Sequence, residues 1–310
     1  MSMDTQKTFM HRLLSYIMRG RVHAMTASAV CAVLSLLVPP LSYISGAIIA
    51  LATLKQGPRE GALVIAGSLL LAGFFSLAMI GSAAPAAAFV LMSWLPAWIL
   101  AWLLLHWRQQ GVVVIGATIM GMLAVLAVHL VLKDPAAWWL EIMRALFEPS
   151  LGKAAANPTQ LDQVLRAWAP QMTQFFGAAT ASGMLLTALL ARYWHSLLDN
   201  PGGFGKEFRA IRVTRAVLLA AVAIAVSALL LRDETGAIIA DMLGPVVAML
   251  VFLGLAVCHA LIRIRKLGRG WLVVIYVLLL VPPHLALSGL SMLGLVDGWM
   301  DFRSRVKPAV

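Results

Sequence analysis

The chain has 310 residues, 61% of them apolar and only 12% charged, with a mean hydropathy of +0.90 and a formal net charge of +11. A soluble globular domain carries roughly 25% charged residues, so this composition excludes one. A membrane β-barrel is excluded as well, because its strands would alternate polar and apolar residues over about ten positions, whereas here the apolar residues fall into unbroken runs.

Residues 1–21 are polar and basic, and the apolar run that follows simply continues rather than ending at a small-residue cleavage site, so no processing is expected. Residues 22–54 then hold L-L-V-P-P at 36–40, and the same five letters return at 279–283. Proline removes a backbone donor, clashes with the preceding helical turn and pushes the residue before it out of the helical region. Pro39 with Pro40, and Pro282 with Pro283, are therefore credible helix ends. Charge counting decides whether they also reverse the chain. If neither does, the 24 Lys and Arg divide 12 to 12 between the two sides; if both do, they divide 19 to 5. Only the second division carries the positive-inside bias, so both sites are read as turns, with the N- and C-termini cytoplasmic.

A helix needs about 20 apolar residues to cross a hydrocarbon core roughly 30 Å thick. Six stretches qualify as full spans: 62–81, 84–106, 112–132, 172–195, 214–232 and 237–263. The fold class is thus all-α: a polytopic helical membrane protein with six full spans flanked by Pro-Pro hairpins at both ends, about eight to ten membrane segments in all. It is read as a single integral membrane domain over 1–310, with an N-terminal hairpin at 22–54, an outward loop at 133–171 and a C-terminal hairpin at 271–296 whose arms span or are re-entrant. The outward loop predicts two amphipathic helices on the membrane surface. One carries Trp139, Met143, Leu146 and Phe147; the other starts at Asn157-Pro158 and carries Leu161, Val164, Leu165 and Trp168.

Ionisable groups inside spans are costly and are functional candidates by default. His129, Asp241 and His259 are the clearest, with His284 just after the second Pro-Pro; Asp241 is expected to pair with Arg232 or to face water. Trp94, Trp98 and Trp102 recur every four residues beside Pro96, with His106 continuing the row. That spacing puts the rings on one helix face, available for packing or lipid contact or as the lining of an apolar ligand pocket. Small residues recur at Ala24, Ser28 and Ala32, and at Gly177, Ala181 and Gly183, which suits close helix contact. Cys31 and Cys258 sit in apolar segments and behave as small hydrophobes. No catalytic motif, metal set or cofactor site is read, and nothing in the loops combines basic and aromatic residues as nucleic acid requires.

One loop is distinctive. Asp199 is followed by Asn200, Pro201, Gly202, Gly203, Phe204, Gly205, Lys206, Glu207, Phe208 and Arg209, and then by Arg212 and Arg215. It serves as a turn with an interfacial anchor, or as a docking or anion-binding loop.

The run R-Y-W-H-S-L-L-D-N-P-G-G-F-G-K-E-F-R-A-I-R, from Arg192 to Arg212, resembles the NPGGF-x-x-EF segment of the YybS-like family of bacterial inner-membrane proteins, a family of unknown function. A-V-L-S-L-L-V-P-P-L from Ala32, L-K-Q-G-P-R-E-G from Leu54 and L-V-D-G-W-M-D-F-R-S-R from Leu295 are similar to it too, so the resemblance covers nearly the whole chain. It implies a multi-pass protein of the bacterial cytoplasmic membrane. The family has been likened to the substrate-binding membrane subunits of energy-coupling-factor vitamin transporters, which dock a partner through Ala-x-x-x-Ala residues on their first helix; Ala24, Ser28 and Ala32 match that spacing. No vitamin-site motif is present to transfer. The expectation is a transporter or substrate-binding membrane subunit without its own ATPase, not an enzyme, with membrane lipids and an unspecified small molecule as partners. The alternative is an assembly or scaffold factor that docks a protein through the cytoplasmic NPGGF loop.

Overall fold

The computed structural model describes residues 3–151, 158–268, 270–281 and 283–306. It is 87% helical, and no strand occurs among the described residues. In chain order the helices are α1 (Met3–Ile17), α2 (Arg21–Leu34), α3 (Leu41–Gln56), α4 (Pro58–Ile80), α5 (Ala84–Phe89), a π-helical turn (Val90–Trp94) and α6 (Leu95–Trp107). Then come α7 (Gln110–Val131), α8 (Pro135–Leu151), α9 (Pro158–Trp168), a 3-10 turn (Ala169–Gln171), α10 (Met172–Asp199) and α11 (Gly203–Arg209). The last are α12 (Arg215–Leu230), α13 (Glu234–Ile264), α14 (Gly270–Leu280), α15 (Pro283–Met300) and α16 (Phe302–Arg305).

Among the described residues, five stretches are long and apolar enough to cross a membrane: Pro58–Met79, Ala84–Trp107, Gln110–Val131, Thr159–Asp199 and Glu234–Ile264. The bent pair α14 and α15, which meet at 120°, brings the number to six if they form one span. The stretch predicted as a full span at 214–232 is shorter than expected. Here α12 has 16 residues, about 24 Å of helix. It stops because Leu231 turns to extended backbone and Asp233 begins the next helix, its carboxylate accepting the Gly236 N–H at 2.9 Å, as an N-cap does.

The chain forms two compact units, 1–117 with 183–212, and 118–182 with 213–310. The boundary between them falls within α7 and α10.

In the first unit α3 is the core. Its sequence from Ser45 to Leu54 has no charge and is buried at every position, the pattern of a helix apolar all round. Close neighbours are admitted by small residues. A Cβ on Gly46 would lie 2.9 Å from both Ser93 and Thr187, and one on Gly61 would lie 2.0 Å from the Thr53 hydroxyl. The small row Ala24, Ser28 and Ala32 is buried, as close contact requires.

Pro39-Pro40 does reverse the chain. Ser28 of α2 and Ser45 of α3 lie opposite each other, the Ser28 hydroxyl donating to the Ser45 carbonyl at 3.2 Å and the Ser45 hydroxyl to the Ser28 carbonyl at 2.8 Å. The arms are short, at 14 and 16 residues, or about 21 and 24 Å. Through the turn, every peptide N–H from Ser35 to Tyr43 finds a backbone carbonyl at 2.9–3.2 Å, and the two prolines have no N–H to satisfy. The double proline therefore removes the donors that the start of α3 would otherwise leave orphaned. Pro282, of the second Pro-Pro, lies outside the described residues; Pro283 is the first residue of α15.

The second unit is organised by α13, 31 residues long with Pro245 inside it. It crosses α15 at a pair of glycines. A Cβ on Gly254 would stand 2.1 Å from the Leu290 carbonyl oxygen, and one on Gly294 would stand 2.2 Å from that of Leu250. On α13 a Cβ on Gly244 would reach the Gln174 carbonyl of α10 at 2.1 Å, and on α10 one on Gly177 would meet Val125 at 2.4 Å and Pro245 at 3.1 Å. The two amphipathic helices expected within 133–171 form, but they also pack on each other. Met143, Leu165 and Ala169 make a buried cluster with Leu140, Leu161 and Met172, while Leu146, Phe147, Val164 and Trp168 stay exposed. Asp162 holds both Arg144 and Arg166 beside it. Asn157, the expected cap, lies outside the described residues, and α9 begins at Pro158.

Candidate functional site

Two polar sites stand out in an otherwise apolar chain. The first, in the second unit, joins two helices long enough to span. The imidazole of His129, near the end of α7, donates through Nε2 to Asp241 Oδ2 of α13 at 2.8 Å, and the two side chains are only 15% and 13% exposed. This corrects the expected pairing of Asp241 with Arg232, which is exposed. Both residues stood out in the sequence by rarity, but 112 positions separate them, and nothing local marks one as the partner of the other. An uncompensated carboxylate in a low-dielectric setting is costly, and the hydrogen bond from His129 offsets part of that cost.

The second site, in the first unit, surrounds the NPGGF loop. Gly202 sits at φ +85°, in the left-handed region that suits glycine. The Ser196 hydroxyl donates to the Asn200 carbonyl at 2.6 Å and accepts the Phe204 N–H at 3.1 Å. The Gly203 N–H returns to the Asn200 carbonyl at 3.0 Å, and a Cβ on Gly203 would lie 2.4 Å from the Asn200 side chain. Phe204 stacks edge-on against Tyr193 at 5.6 Å. Glu207 is gripped by both prongs of Arg192, one of them Nε to Oε2 at 2.8 Å, and accepts from the Gln110 amide at 3.2 Å. Arg192 also donates to His195 Nδ1 at 2.7 Å, which leaves the His195 Nε2 proton for Asp199, 3.5 Å away; Asp199 in turn holds Lys55 at 3.0 Å. Pro201 and Lys206 are exposed, and Arg209 is half-buried. Beside Glu207 a cavity of about 240 Å³ is bordered by Arg108, Gln110 and Arg212.

Of these loop residues, Asn200, Gly202, Gly203, Phe204 and Glu207 hold the loop's own shape, which leaves Lys206 to face outward. Sequence reading missed Arg192, His195 and Ser196 as its anchors. The signal was there in part, since His195 and Asp199 are four apart and share a helix face. Lys55 and Gln110 carried no such signal.

The tryptophan row divides among three environments. Trp94 is fully buried and its indole N–H donates to the Ser45 hydroxyl at 2.8 Å; Trp98 donates to the Pro58 carbonyl at 2.8 Å; Trp102 is exposed and tilts against His106. Pro96 follows the π-helical turn, and its missing N–H cannot bond the preceding turn. A drifting face that seemed continuous in sequence thus sends its three rings to three environments. His259 donates from Nδ1 to the Leu255 carbonyl at 2.9 Å and lies 3.5 Å from the Tyr276 hydroxyl.

The described residues together define a polytopic, all-α membrane protein. Comparison with protein-family models, with curated proteins and with solved structures returned no match.

Proposed function

We propose that this is a transport protein of the bacterial cytoplasmic membrane, of the YybS-like type, working as a permease or substrate-binding subunit without an ATPase or other catalytic activity of its own. The single observation that supports this reading is the His129–Asp241 pair between α7 and α13. Ionisable pairs inside membrane helices mark substrate or proton pathways more often than they serve packing, and an apolar pair of the same volume would be no worse for stability. In this reading the pair binds the polar end of a small solute, or the proton that accompanies it.

The test is native mass spectrometry of protein freshly extracted from its membrane, wild type beside Asp241→Asn and His129→Gln. The expected result is a small-molecule adduct on the wild type that is lost from both variants while they remain monodisperse. A wild type without any adduct, or an adduct indifferent to both substitutions, overturns the reading.

The anchored NPGGF loop supports a second reading, a scaffold that docks a protein at the cytoplasmic face. Arg192 and Gln110 hold Glu207 inward, so the exposed Lys206 is presented on a fixed frame. Lys206→Glu should then abolish copurification of a chemically crosslinked protein partner without changing the thermal stability of the chain. Unchanged crosslinking would count against docking.

A further inference from the structure

An apolar cavity of about 270 Å³ lies in the first unit between α2, α4 and α5. It exists because three facing positions are alanine. Ala32, Ala72 and Ala86 are each at most 4% exposed and floor the space, while Phe75, Met79 and Phe89 wall it. Among the described residues a single polar side chain, Ser76, borders the cavity, and its hydroxyl donates to the Ser82 carbonyl at 2.7 Å. A cavity with such walls stays dry. Its size falls just under the roughly 300–1,000 Å³ of sites for drug-sized ligands, so it suits part of an apolar chain better than a whole rigid molecule.

What covers it follows from its surroundings. No Asp, Glu, Lys or Arg occurs between Val22 and Leu54 or between Gly61 and Trp107. The rim therefore carries no charge, and at the Pro-Pro turn Leu37 is 82% exposed while on α4 Met79 is 78% exposed. Such a rim belongs in hydrocarbon. Backbone at that depth must be satisfied internally, and the turn from Ser35 to Tyr43 meets this condition, since each of its N–H groups is bonded and its two prolines have none.

We propose that this cavity is a binding site for the end of one acyl chain of a membrane lipid, held between α2, α4 and α5 beneath the Pro39-Pro40 turn. The site does not depend on the transport reading, as it shares no residue with His129 or Asp241. Selection is by shape, because an acyl end seated here meets side chains on several sides and gains dispersion contacts that mobile hydrocarbon does not supply. The absence of charge at the rim leaves the headgroup unselected.

The experiment uses the full chain in phosphatidylcholine–phosphatidylglycerol vesicles that contain a trace of phospholipid with a diazirine at the end of one acyl chain. After illumination, adducts are mapped by peptide mass spectrometry. Labelling at Phe75, Met79 and Phe89 is expected to exceed that at the exposed Leu219, Leu229 and Leu230 of α12 by about fivefold. In Ala86→Phe or Ala72→Leu, either of which fills the cavity, the excess should vanish while α12 labelling persists. Even labelling of both regions in the wild type overturns the proposal, and so does an excess that survives in a filled, monodisperse variant. The wild-type map decides the matter if neither variant folds.

Discussion

Gly254→Val is expected to abolish the folded protein, and Gly254→Ala to destabilise it by at least about 3 kcal/mol, the upper part of the range for overpacking a close contact. At this point α13 and α15 are separated by little more than backbone. A Cβ on Gly254 would lie 2.1 Å from the Leu290 carbonyl oxygen, 2.8 Å from its carbon and 3.0 Å from its Cα. No rotamer relieves such a clash, because the obstructing atoms are backbone and one helix must move bodily. Gly294→Ala, facing Leu250 at the same crossing, should cost a similar amount. The double variant should then cost less than the sum, since one separation of the helices relieves both clashes. Gly289 on the same α15 is the control: nothing lies within 4 Å of its would-be Cβ. Gly289→Ala should be neutral or stabilising by up to about 1 kcal/mol, the helix-propensity difference. Size-exclusion chromatography after a heating series measures all five. Equal melting of Gly254→Ala and Gly289→Ala would show that the crossing is looser than described.

Arg192→Met should release the NPGGF loop without unfolding the chain. The guanidinium grips the Glu207 carboxylate with two prongs and touches His195, and its side chain is only 14% exposed. Its loss removes both charged hydrogen bonds to Glu207 and keeps the one from the Gln110 amide. Breaking a fully buried pair costs about 3–5 kcal/mol. With Glu207 33% exposed, water recovers part of that, so the expected local cost is about 2 kcal/mol. That corresponds to roughly a 30-fold rise in the population of the opened loop. Limited trypsinolysis after Lys206 should accelerate by that factor under conditions where opening is fast compared with cleavage. Arg192→Lys keeps the charge but not the fork, and should fall between wild type and Arg192→Met. A Lys206 cleavage rate unchanged in Arg192→Met would mean that the loop is held by Ser196 and the Asn200 turn instead.

The two cases differ in how much of them is written locally. The NPGGF stretch announces itself, because adjacent glycines after Asn-Pro have few uses other than a turn, and Gly202 does take positive φ. Of its anchors only the His195–Asp199 pair was half visible, in the i, i+4 spacing, whereas Arg192 meets Glu207 fifteen positions on. The glycines of the α13–α15 crossing were not visible at all: Gly254 and Gly294 lie in apolar runs like many others, and only the approach of a second backbone distinguishes them from Gly289. Asp241 shows the same limit from another side. Its rarity within an apolar segment flagged it, but the nearest cation in sequence, Arg232, was the wrong partner, and the right one comes from a helix 112 positions away.

What the sequence alone determined about this protein is what depends on one segment at a time: helices rather than strands, runs long enough to cross a membrane, a reversal at Pro39-Pro40, and a glycine turn before Phe204. These follow from run length, from proline's missing N–H and from glycine's missing side chain, all of which act within a few residues. Only the tertiary structure decided which small residue meets which backbone, that Trp94, Trp98 and Trp102 part company, that Asp241 belongs to His129, and that Ala32, Ala72 and Ala86 leave a space between them. Those are properties of several helices at once, set by whichever arrangement fills space and satisfies every buried donor together.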